Sequence, residues 1–208
     1  MTRSERTTSS PKVWVVVLIK GFDEAKQRLR PVLEPAERRA LAERNARLAL
    51  AAARAGDHVL AVCGSEAAAR MAHDAGAEVL LEDRPGGQNL AAQRGIEHAQ
   101  AHGAGAVLLL SSDLPLVRRG TIASMLAAAR GMGGKAAMAA PAVGRGGTNA
   151  LYLCPPDALG LHFGDDSLEK FARDAAERRV RFQVYESPDL ALDLDEPADL
   201  EELRRLVG

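Results

Sequence analysis

Ala106-Val107-Leu108-Leu109-Leu110-Ser111-Ser112-Asp113-Leu114-Pro115 is the stretch on which the reading of this chain turns. Five successive apolar residues read as a strand buried on both faces, which is the pattern of a parallel sheet covered by helices. The run stops at a carboxylate, and Pro115 keeps it from continuing in a sheet. Open α/β sheets bind ligands beyond the carboxyl ends of their strands, so Asp113 is placed where a metal or nucleotide is held. The competing use of the same carboxylate is to cap the helix that follows.

Outward from this strand the pattern alternates. Residues 13–19 form a continuous apolar run rich in β-branched side chains, followed by Gly21, and read as a first central strand. Pro35 opens a helix to about Arg54, with Gly56 at its end. Strands are expected over 58–63 and 78–81, and helices over 66–74, 89–102 and 118–130. This alternation predicts an α/β, Rossmann-like doubly wound fold with right-handed crossovers. After Gly133-Gly134 the rhythm changes. Residues 136–140 and 149–153 read as strands with no room for a crossover helix between them, so a mixed or antiparallel extension is expected. A helix over 167–178, a strand over 181–185 and a helix over 197–206 complete the chain.

The 208 residues suit one domain, spanning 13–208, with Met1 to Lys12 as a polar, disordered leader. Lysines and arginines number 27 against 28 acidic residues, a net charge of -1, which does not indicate a broad nucleic-acid footprint. The apolar run at 13–19 is far shorter than the ~20 residues that span a bilayer, so no membrane partner is expected. Cys63 and Cys154 fall in predicted strands without metal-ligand spacing and read as buried thiols of a reducing, cytoplasmic compartment. A homodimer stays open.

Four constellations carry chemistry. The loop from Lys20 to Leu29 places Lys20, Lys26 and Arg28 with Gly21 after the first strand, a set suited to a polyanion. In Leu192-Asp193-Leu194-Asp195, strand alternation puts Asp193 and Asp195 on one face and both leucines toward the core. Paired carboxylates repel unless a cation separates them, and hard oxygen ligands select Mg²⁺; a cap on the last helix is the other use of Asp195. The glycine-rich turn from Pro141 to Asn149 can form an anion-binding nest, with the Thr148 hydroxyl as a donor, or an ordinary hairpin loop. Ser167 is an N-cap candidate after Phe163-Gly164-Asp165-Asp166, and the same helix N-terminus can bind an anion. The five histidines are scattered and form no triad or metal pattern, so a reaction driven by positioning and charge neutralisation fits best.

In order, these are Lys20-Gly21, Ala25-Lys26, Arg28-Leu29, Asn89, Asp113-Leu114-Pro115, Gly147-Thr148-Asn149-Ala150-Leu151, Gly164 with Ser167, and Asp193 to Leu200. The set resembles the 2-phospho-L-lactate guanylyltransferase family of coenzyme F420 biosynthesis, also called phosphoenolpyruvate guanylyltransferase in some bacteria. The resemblance runs from about Val13 to Leu206. It implies a single-domain, GT-A-like nucleotidyltransferase that joins GMP from GTP to a phosphorylated three-carbon acid and releases pyrophosphate. By the family pattern, Asp113, Asp193 and Asp195 hold Mg²⁺, and Thr148, Gly164 and Ser167 bind the acid. Lys20, Lys26 and Arg28 match the triphosphate loop, with Lys26 and Asp113 catalytic, and Asn89 matches a base or ribose contact of GTP. Phosphoenolpyruvate, 2-phospho-L-lactate and 3-phospho-D-glycerate are the candidate acids. The chain departs from the pattern at Ile19, Asp165, Asp166 and Phe171. A cytidylyl- or uridylyltransferase acting on a phosphonate or sugar phosphate, and an inactive nucleotide-binding protein of the same fold, are the alternatives.

Overall fold

The computed structural model describes residues 10–22, 25–84, 86–144 and 146–207. The Val13–Ile19 run is buried along its whole length as β1. It pairs in parallel with β2 (His58–Cys63) on one side and β4 (Ala106–Ser111) on the other, and β3 (Glu78–Leu81) extends the sheet in parallel beyond β2. Past β4 comes β6 (Thr148–Cys154), antiparallel both to β4 and to β5 (Ala136–Pro141), and β7 (Arg181–Val184) lies parallel to β5 at the edge. The order is β3-β2-β1-β4-β6-β5-β7. Among these strands β6 alone runs against the rest, which is the mixed extension expected from the short spacer between β5 and β6.

Alternation along β1 sorts the core into two layers. Val13, Val15 and Val17 pack with α1 (Pro35–Ala53), α2 (Glu66–Asp74) and α4 (Arg119–Met132). Trp14, Val16 and Leu18 face the other way, against α3 (Gln88–Ala101) and α5 (Ser167–Glu177). Close approach of α3 depends on Gly95, where a β-carbon would stand 2.5 Å from Val16 Cγ1 and 3.1 Å from Val62 Cγ2. Gly95→Ala is therefore expected to lower stability by ~1–3 kcal/mol, the usual result of overpacking. Urea unfolding checks this, and an unchanged midpoint would show slack under α3.

The structure departs from the sequence reading ahead of the last helix. Residues 192–196 are not a strand, because both edges of β4 are already paired by β1 and β6. The segment meets the loop that follows β4 through a backbone bond from Leu194 N–H to the Asp113 carbonyl at 3.1 Å. Leu194 is buried as expected, whereas Leu192 is only partly so. A short helix unforeseen in the sequence, α6 (Pro188–Ala191), leads into it, and α7 (Pro197–Val207) follows with no buried residue. The expected leader lies outside the described residues through position 9; at its end, the Lys12 carbonyl accepts bonds from Gly105 and Ala106 and already belongs to the fold. No described helix is long and apolar enough to cross a membrane. Cys63 and Cys154 are free thiols, and burial, reinforced by the Glu82 carboxylate, pushes Cys63 up to about 12, which leaves it unreactive.

Candidate active site

From β1 the chain crosses through α1 to β2, toward one edge of the sheet, and from β4 it crosses through α4 to β5, toward the other edge. The carboxyl ends of β1 and β4 therefore diverge, and such a switch point is where open α/β sheets hold ligands. A cleft of about 680 Å³ opens there, and Lys20, Arg28, Asp113, Thr148, Gly164, Asp193 and Asp195 all border it. A smaller pocket of about 260 Å³ shares Lys20, Arg28, Asp113 and Asp195 with it and adds Lys26. Residues up to 175 positions apart thus meet at one place; a side chain at Gly64 would crowd its floor, with its β-carbon 3.2 Å from the Gly21 amide nitrogen.

Lys26 holds the centre of the basic loop. Its backbone is left-handed, with φ of 59°, and it begins a 3₁₀ turn over Gln27–Leu29 that directs the side chain inward. The ammonium is 1 % exposed and lies 2.8 Å from Asp113 Oδ1. The angle of that contact makes no hydrogen bond, and Nζ finds no other acceptor among the described residues. A buried ammonium with donors in hand is suited to further anionic oxygens. Arg28, more exposed, reaches Asp195 Oδ2 at 3.2 Å and Glu196 Oε1 at 3.1 Å. Asp23 and Glu24 of this loop lie outside the described residues.

Asp113, expected as a possible cap, does not serve as one. The N-cap of α4 is Arg118, well beyond Asp113. At α7, Asp199 Oδ2 accepts from the backbone N–H groups of Asp195 and Glu196, at 2.8 and 2.6 Å. The limb carrying Asp193 and Asp195 is tied down by Asn149, a buried residue whose Nδ2 donates to the Leu190 carbonyl at 2.8 Å. Asn149→Ala is expected to cost ~1–3 kcal/mol, because the carbonyl loses its buried partner, and to reduce activity by loosening that limb. Thermal unfolding and steady-state rates check both, and full activity in a destabilised variant would detach the anchor from the chemistry.

The donor set of three carboxylates, with no histidine on the cleft wall, suits a hard cation such as Mg²⁺. Asp113, Asp193 and Asp195 border one space without converging as a closed three-ligand cluster. That spacing fits an ion held by one or two carboxylates with phosphate and water completing its shell, the usual arrangement for Mg²⁺.

On the opposite wall, Ser167 is fully buried and donates through Oγ to Thr148 Oγ1 at 3.0 Å. Accepting this bond leaves the Thr148 hydroxyl hydrogen to be directed elsewhere. Ser167 acts on the cleft through Thr148. It is also not the N-cap of α5; that position is Asp166, left-handed and making no side-chain cap bond. The amides expected to hold an anion are already bonded, Leu168 N–H to the Gly146 carbonyl and Ser167 N–H to that of Gly164. Arg145 of the glycine turn lies outside the described residues. Asn89 does not border the cleft. Its amide clamps Phe163 from both sides, donating to the carbonyl at 3.1 Å and accepting from the N–H at 2.8 Å, and so positions the wall at Phe163 and Gly164. Asp165 faces the cleft as well, whereas Phe171 is buried beneath Phe163.

The same wall is braced by Asp174, whose carboxylate accepts from Gly160 N–H at 2.6 Å and contacts His162 and Arg178. Burial alone would raise its pKa, but the bonds from Gly160, Arg178 and His162 outweigh this and hold it below the ordinary carboxylate value. A depressed folded-state value stabilises the protein above the unfolded pKa and is lost as pH falls through the folded one. Asp174→Asn is expected to shallow the acid limb of a stability-against-pH curve below pH ~4; an unchanged limb would remove Asp174 from that role.

Ser65 and Glu82 also border the cleft, and the sequence reading passed over them. They lie within two residues of the ends of β2 and β3, so the strand-end rule that singled out Asp113 also reaches them. The histidines are less scattered than expected, since His58, His98 and His102 surround Trp14 at the far end of the sheet.

The model of the family "Guanylyl transferase CofC like" matches residues 13–205. The phosphoenolpyruvate guanylyltransferase of Rubrobacter xylanophilus is 38% identical over 94% of this chain and 95% of its own. The 3-phospho-D-glycerate guanylyltransferase of Phenylobacterium zucineum is 35% identical, covering 91% and 88%, and the 2-phospho-L-lactate guanylyltransferase of Methanothermobacter thermautotrophicus 32%, covering 92% and 84%. Among solved structures, a nucleotidyl transferase from Methanothermobacter superposes with a TM-score of 0.68 at 17% identity, over 94% of this chain and 97% of that one. This last likeness concerns the fold, which is the expected nucleotidyltransferase type.

Proposed function

The chain belongs to the CofC-like guanylyl transferase family, and on that premise we propose that it transfers GMP from GTP to phosphoenolpyruvate, in coenzyme F420 biosynthesis, with Mg²⁺. The observation that carries the reading is the Lys26–Asp113 pair at the mouth of the switch point, with Lys20 and Arg28 beside it. A phosphate oxygen of the acid attacks the α-phosphorus of GTP. The bond from that phosphorus to the bridging oxygen breaks, and pyrophosphate leaves with the electron pair. Lys20, Lys26 and Arg28 neutralise the triphosphate, and Lys26 stabilises charge that grows during the displacement. Asp113, with Asp193 or Asp195, would hold Mg²⁺, which when bound neutralises phosphate charge and aligns the in-line geometry. Thr148 and the backbone at Gly164 receive the acid, with Ser167 and Asn89 positioning them.

Phosphoenolpyruvate is preferred because the 38% identical relative bears that name, and the family names also supply 2-phospho-L-lactate and 3-phospho-D-glycerate as competitors. The enzyme is placed in the cytoplasm, where GTP and these acids are available. Pyrophosphate release from GTP or CTP, with each acid in turn and with or without Mg²⁺, tests the reading. Turnover with GTP, phosphoenolpyruvate and Mg²⁺ is expected. Preference for another acid would correct the substrate alone, whereas turnover with CTP only would overturn the guanylyl assignment.

A further inference from the structure

The end of the sheet opposite the cleft carries a second group of ligating side chains that the guanylyl reaction does not use. The parallel register sets Trp14 beside His58 at the start of β1 and β2, and Leu60 beside Glu78 at the start of β3. Trp14, His58 and Glu78 thus lie on the face that α3 covers. Near the C-terminus of that helix, His98 and His102 are four residues apart and share one side of it. Their rings stack with centroids 4.3 Å apart. His98 Nε2 lies 2.5 Å from Glu78 Oε1, and ligand atoms of Glu78, His98 and His102 all fall within 4.8 Å of one another.

We propose that Glu78, His98 and His102 form a binding site for a divalent transition ion of the Zn²⁺ class, separate from the nucleotide cleft. Two imidazoles and one carboxylate are the donor set of open zinc sites, in which water takes the fourth position. His102 is prepared for this role. Its Nδ1 lies 2.8 Å from the His98 backbone carbonyl, a bond that fixes the tautomer and leaves Nε2 to the ion, as in the outer shells of known metal sites. Glu78 and His102 are exposed and His98 half-buried, which leaves room for the small rotations that bring donors to ~2.0–2.2 Å from a metal.

Trp14 lies beside the same group. It is 3 % exposed, packs against both His98 and His102 at centroid distances of 6.1 and 6.0 Å, and its buried indole N–H has no hydrogen-bond partner. A metal-bound water is an acceptor of the kind this donor lacks. The ion would join the edge strand β3 to α3, whose other end, at Gly87 and Gln88, borders the cleft. His58 stacks on Trp14 at 4.7 Å and is outside the ligand set.

Trp14 is the single tryptophan of the chain and reports the site directly. Tag-free full-length protein, stripped of metals and kept in excess Mg²⁺ so that the cleft carboxylates are engaged, is titrated with Co²⁺ while its fluorescence is followed. One equivalent is expected to quench Trp14, and Zn²⁺, the tighter ion, is expected to displace it and restore the signal. His102→Ala and Glu78→Gln should each weaken binding by more than the ~10–100-fold typical of losing an outer-shell partner, while Asp113→Asn leaves it unchanged. Circular dichroism confirms folding, and Glu78→Gln, a change at an exposed position, stands in if His102→Ala unfolds. The site is disproved by quenching that survives in both ligand variants, by quenching lost in Asp113→Asn, or by no Zn²⁺-reversible quenching at one equivalent.

Discussion

Asp113→Asn is expected to lower kcat by ~100-fold or more, since a neutral amide holds a hard cation far more weakly than a carboxylate and does not offset the ammonium beside it. The same change also disturbs the fold. Lys26 is 1 % exposed and Asp113 is its ion partner at 2.8 Å, so the variant leaves a buried ammonium without its opposite charge. Breaking a fully buried pair costs ~3–5 kcal/mol; Asp113 itself is 28 % exposed, so ~1–3 kcal/mol is the expected loss. Rates measured well below the lowered melting temperature separate the two effects. Near-wild-type kcat in folded Asp113→Asn would remove this carboxylate from the chemistry.

Lys26→Met is expected to reduce kcat by ~10²–10³-fold, the scale seen when one preorganised charge is taken from a developing anion. Its effect on stability should be slight or even favourable, because an apolar side chain of similar length fills the same buried space without desolvating a charge. The two single variants thus share a loss of rate and differ in stability. The double variant Asp113→Asn with Lys26→Met should recover most of the lost stability and none of the activity. If the double variant is no more stable than Asp113→Asn, the buried pair is not the source of the instability.

The strands were legible because burial on both faces writes an unbroken apolar run, as in Val13–Ile19 and Ala106 to Leu110, and that pattern needs no knowledge of neighbours. The strand ends then located Asp113 and Lys20. Less legible was every role that one side chain performs through another. Asn89 reads as a ligand until it is found clamping Phe163, 74 residues away, and Ser167 until its bond to Thr148, 19 residues away, is seen. Asp193 and Asp195 gave a period-two pattern that matches a strand, but a strand needs an open edge, and β4 had none. The Glu78, His98 and His102 group joins a strand to a helix, so no linear spacing announces it.

The bare exterior of α7 bears on how the polypeptide can be handled. No residue of that helix is buried, yet Asp199 in its first turn secures the amides of Asp195 and Glu196 beside the cleft. Within this helix, therefore, the first turn is the part that fastens the cleft limb. Deletions or fusions beyond the first turn leave the cleft limb fastened, whereas a cut before Asp199 releases it.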